Sequence, residues 1–451
     1  MAYWKTEESS LLMAIQADLT TENETDSDFV AIRCEKPDIS FNQEVTEMDT
    51  LTGQAGAASE KIIGAKSGQI TFNMPLETLP SDYDPTADNI SDAGIVSPVW
   101  CLIANAMGST TQSGVTGGTT SLKNTEFWKG DAMHIKGYSA NILDAGSSTS
   151  TLVADGGNGV NYDAGMYSLH GTDGDDTDCQ AGFIKTIATD ALTLFEPSQN
   201  AAATNDSRFS SATAYVSDDA PRPLTIRYTG NDATLCYKLV GAICSSFSIT
   251  MNSKEVPVAS FTFDFIDYVA DSVDGTLTVP TAYSRAFRIV GNKGGRLTFS
   301  AMGAGAKCGI EDLSIEYTAE LQDISCHSSA EGISERLVKK RTTACSFTVP
   351  HNTTDTIYDE AGGSTTYGNH QYQHYFENQT ELSLGVEVGT VAGTYLSFLM
   401  PAGKITEAPS LTDRDGFNAY NISMEANAYT GDTGAASDGK PTDVSAKFGI
   451  G

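Results

Sequence analysis

Two segments of the chain, residues 59–75 (SEKIIGAKSGQITFNMP) and 334–350 (SERLVKKRTTACSFTVP), align with each other without a gap. Serine, glutamate, phenylalanine and proline are identical at four aligned positions. Four further positions pair a basic residue with a basic one or an aliphatic residue with an aliphatic one. Because similarity between distant segments is typical of repeated structural units, the chain is predicted to contain two equivalent domains.

The repeat continues towards the C-terminus. Residues 247–265 resemble residues 403–426, and this alignment sets Ile249 against Ile405. The interval between the two matched regions is much longer in the first copy, which predicts an insertion there.

This insertion sets the expected domain organisation. The insertion begins after the linker-like run STTQSGVTGGTTS, and its short apolar segments are separated by turn residues. We expect it on the outer surface of the molecule and removable without loss of the two domains. The expected division is an N-terminal arm (1–29), a first domain in two pieces (30–121 and 218–275), an inserted small β domain (122–217), a second domain (285–440) and a C-terminal tail (441–451).

Local patterns predict a mainly β chain. Phe261, Phe263 and Phe265 alternate with polar residues, which is the period of a half-buried strand. One helix is predicted over residues 97–109, where Ser-Pro marks the start and a glycine marks the end. In the second copy, residues 369–379 occupy the place of this helix.

The charge balance limits the classes of partner. The chain has 27 Lys and Arg residues against 58 Asp and Glu residues, a formal net charge of −31. Such a surface repels nucleic-acid phosphates and anionic lipid, which argues against DNA binding or membrane association. It is compatible with a conduit along which DNA must move without adhering. The first residues, MAYWKTEESS, do not resemble a signal peptide, so we expect synthesis in a cytoplasm.

Three segments in sequence order resemble the tail tube proteins of long-tailed (siphovirus-like) bacteriophages. The first, GAKSGQITFNMPLETL, is similar to the family's glycine-rich turn leading into a strand of the tube wall. The second, FWKGDAMHIKG with GMYSLHG and IKTIATDALTLFEP, resembles a β module often inserted in these proteins. The third, GKITEAPSLTDRDGFNAYNISMEANA, is similar to their C-terminal strand pair, joined by an Asp-Arg-x-Gly turn.

The resemblance implies a fold and a function. It implies two tail-tube-type β-sandwich domains, each with one flanking helix, plus a small inserted β-barrel or sandwich domain. It also implies a virion protein of the phage tail that self-assembles into stacked rings around the ejected viral DNA. Six wall domains close a ring in the family, so two copies per chain imply a pseudo-sixfold trimer. The implied partners are other copies of the chain, the tape measure protein and the tail-tip and terminator proteins, with no membrane and no specific DNA binding.

Two groups of residues are candidates for assembly contacts. The loops that precede the matching strands are expected to contact the next ring, through Asp49, Thr50, Leu51, Gln54, Ile324, Ser325, His327 and Glu331. The strands of the tube wall are expected to include Ile70, Phe72, Phe261, Phe263, Cys345, Phe347, Tyr420 and Ile422.

Residues that resemble chemical sites form no complete set. The pair His370 and His374 has helical metal-ligand spacing but no third ligand, and the acidic run 173–178 lacks the glutamate of a calcium-binding EF-hand. Cys326 and His327 near Asp323 have the residue types of a nucleophilic site, but the first copy has no counterpart. The basic run 339–341 either meets an acidic neighbour in another subunit or is solvated. We therefore expect no enzymatic activity, no cofactor and no metal.

Two other functions remain open from the sequence. One is a virion decoration or tail-tip protein with β-sandwich modules. The other is a secreted carbohydrate-binding adhesin, which would need a secretion signal and exposed aromatic clusters.

Overall fold

The computed structural model describes residues 9–24, 29–48, 60–80, 97–108, 134–136, 139–140, 142–144, 146–172, 179–196, 206–209, 211–217, 220–230, 236–252, 255–271, 287–290, 296–299, 312–326, 332–350, 357–358, 364–365, 371–389, 391–414, 416–433 and 444–451. Most of these residues lie in antiparallel strands, which confirms the mainly β prediction. The first half of the chain contributes strands β1 (Ser10–Ile15), β2 (Val30–Ile32), β3 (Asp38–Met48), β4 (Glu60–Pro75), β5 (Glu77–Pro80), β6 (His134–Lys136), β7 (Thr151–Val153), β8 (Tyr167–Gly171), β9 (Cys179–Ala188), β10 (Ala191–Leu194), β11 (Ser207–Phe209), β12 (Ser211–Tyr215), β13 (Leu224–Thr229), β14 (Cys236–Asn252), β15 (Val258–Phe265) and β16 (Asp267–Asp271).

The second half contributes the remaining strands and one of the two α-helices of the described residues. The strands are β17 (Phe287–Ile289), β18 (Arg296–Phe299), β19 (Asp312–Ser325), β20 (Ile333–Pro350), β21 (Ile357–Tyr358), β22 (Ser364–Thr365), β23 (Leu382–Val388), β24 (Leu396–Ile405), β25 (Ser410–Arg414), β26 (Phe417–Ala426) and β27 (Lys447–Ile450). The helices are α1 (Pro98–Ala106) and α2 (Gln371–Glu377), and a 3-10 helix spans Asn158–Asn161.

Eight strands form a continuous antiparallel layer in the order β3–β4–β15–β14–β19–β20–β26–β25. Apolar and polar residues alternate along these strands, so one face of the layer is buried and the other carries polar side chains. We call this layer the central sheet. The two segments that align in the sequence, in β4 and β20, lie in the two halves of the central sheet.

The hairpins β3–β4 and β19–β20 are built in the same way. Ile39 lies opposite Ile70 in the first hairpin, and Ile315 lies opposite Cys345 in the second. The strand register shifts between Gln43 and Val45 in the first hairpin and between Glu320 and Leu321 in the second. Because a β-bulge is a specific local feature, its recurrence at the matching place indicates that the two hairpins are equivalent.

Strand pairing outside the central sheet is also repeated. In the first half, β1 pairs with β13, β13 with β14, and β14 with β16. In the second half, β18 pairs with β23, β23 with β24, and β24 with β27 in the same arrangement. Helix α1 contacts β14, and helix α2 contacts β24. The two halves therefore share one topology, and strands β6–β12 lie between α1 and β13 of the first half.

The register of the downstream repeat differs from the sequence alignment. Phe72 and Phe347, which are aligned in the sequence, lie opposite Phe261 and Ile422, so those two partners are equivalent. Two residues earlier on these partner strands, Ala259 faces Ile249 and Tyr420 faces Leu411. The counterpart of Ile249 is therefore Leu411, and its predicted match with Ile405 is wrong.

The expected N-terminal arm and C-terminal tail each contribute a strand to the folded body. The run SLLMAI makes β1, whose Leu12 and Met13 are fully buried, so this part of the expected N-terminal arm is an integral strand. The run KFGI makes β27 within the expected C-terminal tail, and all four residues are buried. Each terminal strand completes one half of the repeat, because β1 corresponds to β18 and β27 corresponds to β16.

The predicted helix over residues 97–109 is confirmed as α1. Ser97 precedes it, proline occupies the first turn, and Gly108 follows it with φ of 75°, a conformation that favours glycine. The Ser97 hydroxyl and the Trp100 indole N–H both donate to the Glu77 carbonyl oxygen, at 2.8 and 2.6 Å. The helix is buried on every side. Helix α2 lies within the segment predicted to take its place.

The inserted segment contains a five-stranded sheet in the order β11–β8–β9–β10–β7. One of its apolar clusters is shared with the second half of the chain, because Tyr167 and Phe183 pack with Tyr395 and Leu399. Its last strand, β12, pairs with β27. Removal of the insertion would expose this shared core, which argues against the expectation that the inserted domain is freely removable.

Candidate assembly surface

The residues predicted for the tube wall lie in the central sheet. In the first half, Phe72 lies opposite Phe261 and Ile70 lies opposite Phe263. In the second half, Phe347 is opposite Ile422, and the predicted Cys345 and Tyr420 lie on the same two strands. Seven of the eight side chains are buried and Tyr420 is half-buried. They therefore belong to the hydrophobic core, and a surface of the assembly must use the other face of these strands.

The outward face of the central sheet carries mainly hydroxyl, amide and carboxylate side chains, with a few apolar residues such as Val258 and Ala344 among them. On its six inner strands the polar residues include Gln69, Thr71, Asn73, Ser260, Thr262, Asp264, Ser246, Ser248, Thr250, Ser314, Glu316, Thr318, Ser346, Thr348, Asn421, Ser423 and Glu425. Several bond to each other across strands: Gln69 Nε2 donates to Asp264 Oδ1 at 2.9 Å, and Thr348 Oγ1 donates to Asn421 Oδ1 at 3.0 Å. The side chains of this set are all neutral or acidic, so this polar face would repel an anionic polymer.

The two long hairpins extend beyond the central sheet as exposed arms. We define the first arm as residues 41–48 with 60–66, and the second arm as residues 319–326 with 332–341. Of the predicted inter-ring residues, Ile324 and Ser325 lie near the end of the second arm, and Ile324 is exposed. Asp49, Thr50, Leu51, Gln54, His327 and Glu331 lie outside the described residues, so their roles remain predictions.

The second arm is held by ion pairs. Arg336 donates to both carboxylate oxygens of Asp323, at 2.5 and 3.0 Å, and to the Asp264 carbonyl oxygen at 2.8 Å. Lys339 pairs with Glu320 at 2.6 Å. The first residue of the basic run 339–341 thus meets an acidic neighbour within its own hairpin. Asp323 is engaged by Arg336, and Cys326 forms part of the hairpin end, which gives no support to nucleophilic catalysis there.

Exposed apolar side chains on the first arm and on β25 were not among the predicted contact residues. Phe41, Val45, Ile63 and Leu411 are among the large apolar residues that remain exposed. The sequence contains one signal for them: the strands at the two ends of the repeated region carry apolar residues, as the other strands do. Val45 and Ile63 lie directly opposite each other in the first hairpin, and neighbouring exposed apolar residues mark surfaces for association.

The ionisable groups buried in the inserted segment are held in an enclosed cluster. His170 is fully buried and its Nε2 lies 3.2 Å from the Tyr162 hydroxyl and 3.1 Å from the Ser168 hydroxyl. Burial, with the nearby Arg208 guanidinium, lowers the pKa of His170 to about 3. Arg208 in turn donates to the Asn161 carbonyl at 2.8 Å. A neutral histidine enclosed in this way is poorly placed to act on a substrate.

The surroundings of three cysteine thiols favour a structural role. Burial, with the nearby Glu35 carboxylate, raises the pKa of Cys34 to about 12. Burial likewise raises the pKa values of Cys244 and Cys345. Thiolate is the nucleophilic and metal-binding form of cysteine, so raised pKa values disfavour both roles.

Metal-ligand geometry is not found in the part of the chain that the structure describes. There, three or more His, Cys, Asp or Glu side chains never converge as a metal site would require. His374 lies on α2 and contacts the Asn378 amide at 3.0 Å, while His370 and residues 173–178 fall outside the described ranges.

Comparison with known proteins provides no family assignment. No protein-family model matches the chain, and no curated protein matches it significantly. Among the described residues, neither α-helix has the length and apolar character needed to span a membrane.

Proposed function

We propose that this chain is the major tail tube protein of a long-tailed bacteriophage, a structural subunit without enzymatic activity that assembles into stacked rings in the virion tail. The observation that carries the proposal is the central sheet, an eight-stranded layer made of two equivalent halves placed side by side. One face is buried in the core and the other is polar and acidic. Such a layer is suited to form a section of a hollow wall.

The chemistry of the outward face supports a lumen for DNA. Duplex DNA carries about one negative charge per 1.7 Å, and proteins that bind it neutralise phosphates with lysine and arginine. Most outward residues of the six inner strands carry hydroxyl, amide or carboxylate groups, including Asp264, Glu316 and Glu425. A lumen lined in this way lets the viral genome slide during ejection without adhering.

The internal duplication supports a ring of three chains. Each half contributes four strands to the central sheet, and the halves differ in their other parts because only the first contains the insertion. Three chains would therefore form a ring with pseudo-sixfold order in the wall and threefold order outside it. The partners we propose are further copies of the chain, the tape measure protein, and the tail-tip and terminator proteins, without a cofactor.

Electron microscopy of the purified protein tests this function. We expect hollow tubes, with three chains per ring and strands of the central sheet lining the lumen. Discrete particles would instead favour a virion decoration or tail-tip protein. Rings of six chains that each donate one wall unit would contradict the role proposed for the duplication. As an independent check, assembled tubes should not retard duplex DNA in a gel shift at low salt.

A further inference from the structure

The chain contains an internal junction at which its two halves meet. At this junction β14 of the first half pairs antiparallel with β19 of the second half. Ile249 lies opposite Ile315, and both are fully buried; Phe247 lies opposite Tyr317, with their rings stacked 5.0 Å apart. The junction therefore joins the halves by backbone hydrogen bonds and by apolar contacts on the core side.

The strands equivalent to these two lie at the open ends of the central sheet. Strand β3 is the counterpart of β19. Strand β25 is the counterpart of the part of β14 that pairs with β19 (Ser246–Asn252). Among the described residues, β3 pairs only with β4 and β25 pairs only with β26. Each strand therefore presents one unpaired backbone edge, and such edges are templates for pairing with another strand.

The side chains at these open ends are exposed where their counterparts are buried. Leu411 is 56% exposed, whereas its counterpart Ile249 is fully buried. Phe41 is 42% exposed, whereas its counterpart Tyr317 is buried; Ile39 is half-buried, whereas Ile315 is fully buried. Phe41 contacts the rings of Tyr237 and Tyr268 in its own half, but among the described residues no strand lies beside β3 to cover it as β14 covers Tyr317.

The two hairpin arms also differ in the exposure of equivalent apolar residues. Leu321 and Ile333 of the second arm pack against Ile243 and Ile266 of the first half. Among the described residues, the first arm has no such contact with another repeat unit. At the positions of Leu321 and Val338 it carries Val45 and Ile63, which are 52% and 67% exposed. A neighbour placed beside β3 would cover these side chains as the first half covers the second arm.

We propose that β25 of one chain pairs antiparallel with β3 of the next, in the register of the internal junction. Leu411 then lies opposite Ile39 of the next chain, and Ser410 lies opposite Ser40. The occupant of both open edges is a second copy of this chain, because the chain already makes the same contact within itself. The proposal rests on the proposed function and specifies which strands and residues close the ring.

Engineered disulfides test the register in assembled protein. In a background with Cys34→Ser and Cys326→Ser, we combine Ile39→Cys with Leu411→Cys; directly opposed antiparallel residues have Cα atoms about 4.5–5.5 Å apart, within disulfide range. Gln43→Cys with Leu411→Cys is the control, four residues further along β3 and out of reach. We expect oxidation to link chains efficiently in the first variant and at least tenfold less in the control.

Two outcomes separate failure of this register from failure of the proposed function. Tubes that form but show no Ile39–Leu411 cross-link, or equal cross-linking in the control, would overturn the register and leave the tube function standing. Unmodified protein that stays monomeric at every concentration would overturn both.

A single substitution provides a second measurement. Leu411→Asp should leave the monomer folded, because the site is exposed, but should reduce ring formation in sedimentation by at least tenfold. The matched control is Val160→Asp, at an exposed apolar residue of the inserted segment, which should leave assembly unchanged. Normal rings with Leu411→Asp would contradict the proposed contact.

Discussion

The ion pair between Lys447 and Asp432 is a sharp test of how the C-terminal strand is held. Its Nζ and Oδ2 atoms are 2.6 Å apart, and both side chains are fully buried. Lys447 also lies 5.1 Å from the centre of the Phe195 ring, which belongs to the inserted segment. The pair therefore links β27 to the preceding segment and to the insertion.

Removal of one partner should be costly. Asp432→Asn leaves the Lys447 ammonium buried without its counter-ion, and breaking such a pair typically destabilises a protein by about 3–5 kcal/mol. Glu320→Gln is the matched control, because the Lys339–Glu320 pair has the same 2.6 Å distance but both side chains are more than half exposed. Its loss should cost less than about 1 kcal/mol.

Hydrogen exchange measures the loss of stability of each variant at the affected strand. A local measurement is needed because a chain with several units need not unfold in one step. For Asp432→Asn we expect faster exchange of the β27 amides, roughly a hundredfold or more by the same estimate. Combining Lys447→Met with Asp432→Leu should restore most of the protection, since an apolar replacement of the whole pair is tolerated. Equal, small effects of Asp432→Asn and Glu320→Gln would refute the view that the pair is buried.

Three further predictions follow from other contacts. Phe261→Ala removes a fully buried ring of the central sheet and should lower the free energy of unfolding by about 3–5 kcal/mol, measured in urea. Ser97→Ala removes the hydroxyl bonded to the Glu77 carbonyl and should cost about 1 kcal/mol, seen as a lower Tm. The pKa of His170 is about 3 in the fold against 6.5 in the unfolded chain, so the unfolded state binds the extra proton and stability falls as the pH drops from 6.5 towards 3. The slope is about 1.4 kcal/mol per pH unit, and His170→Gln should flatten the dependence of Tm on pH in this range; an unchanged slope would contradict the assignment.

Much of the local structure could be predicted from the sequence, because its signals are local. The alternation at Phe261, Phe263 and Phe265 sets a strand, and the residues around 97 and 108 start and stop α1. The Asp-Arg-x-Gly run makes the turn between β25 and β26, where the Gly416 N–H donates to Asp413 Oδ1 at 3.0 Å. Each of these features depends on residues that are close in the chain.

The roles of the two termini could not be predicted in this way. SLLMAI is a short apolar run within a polar segment, and it becomes β1 only by pairing with β13, about two hundred residues away. From the sequence, Lys447 would be expected on the surface, where most lysines lie. It is buried because the fold places Asp432 beside it. A partner distant in the chain leaves no local pattern.

By itself, the sequence determined that the chain is mainly β and that it repeats a segment. The tertiary structure decided the register of that repeat and which strands are left at its ends. Alternation indicates which residues share a face of a strand, but it does not indicate which strands pair. Ile405 ends β24, whereas Leu411 lies in β25 and faces Tyr420 as Ile249 faces Ala259. The same apolar position is buried in β14 and exposed in β25, because burial depends on a neighbouring strand rather than on the residue.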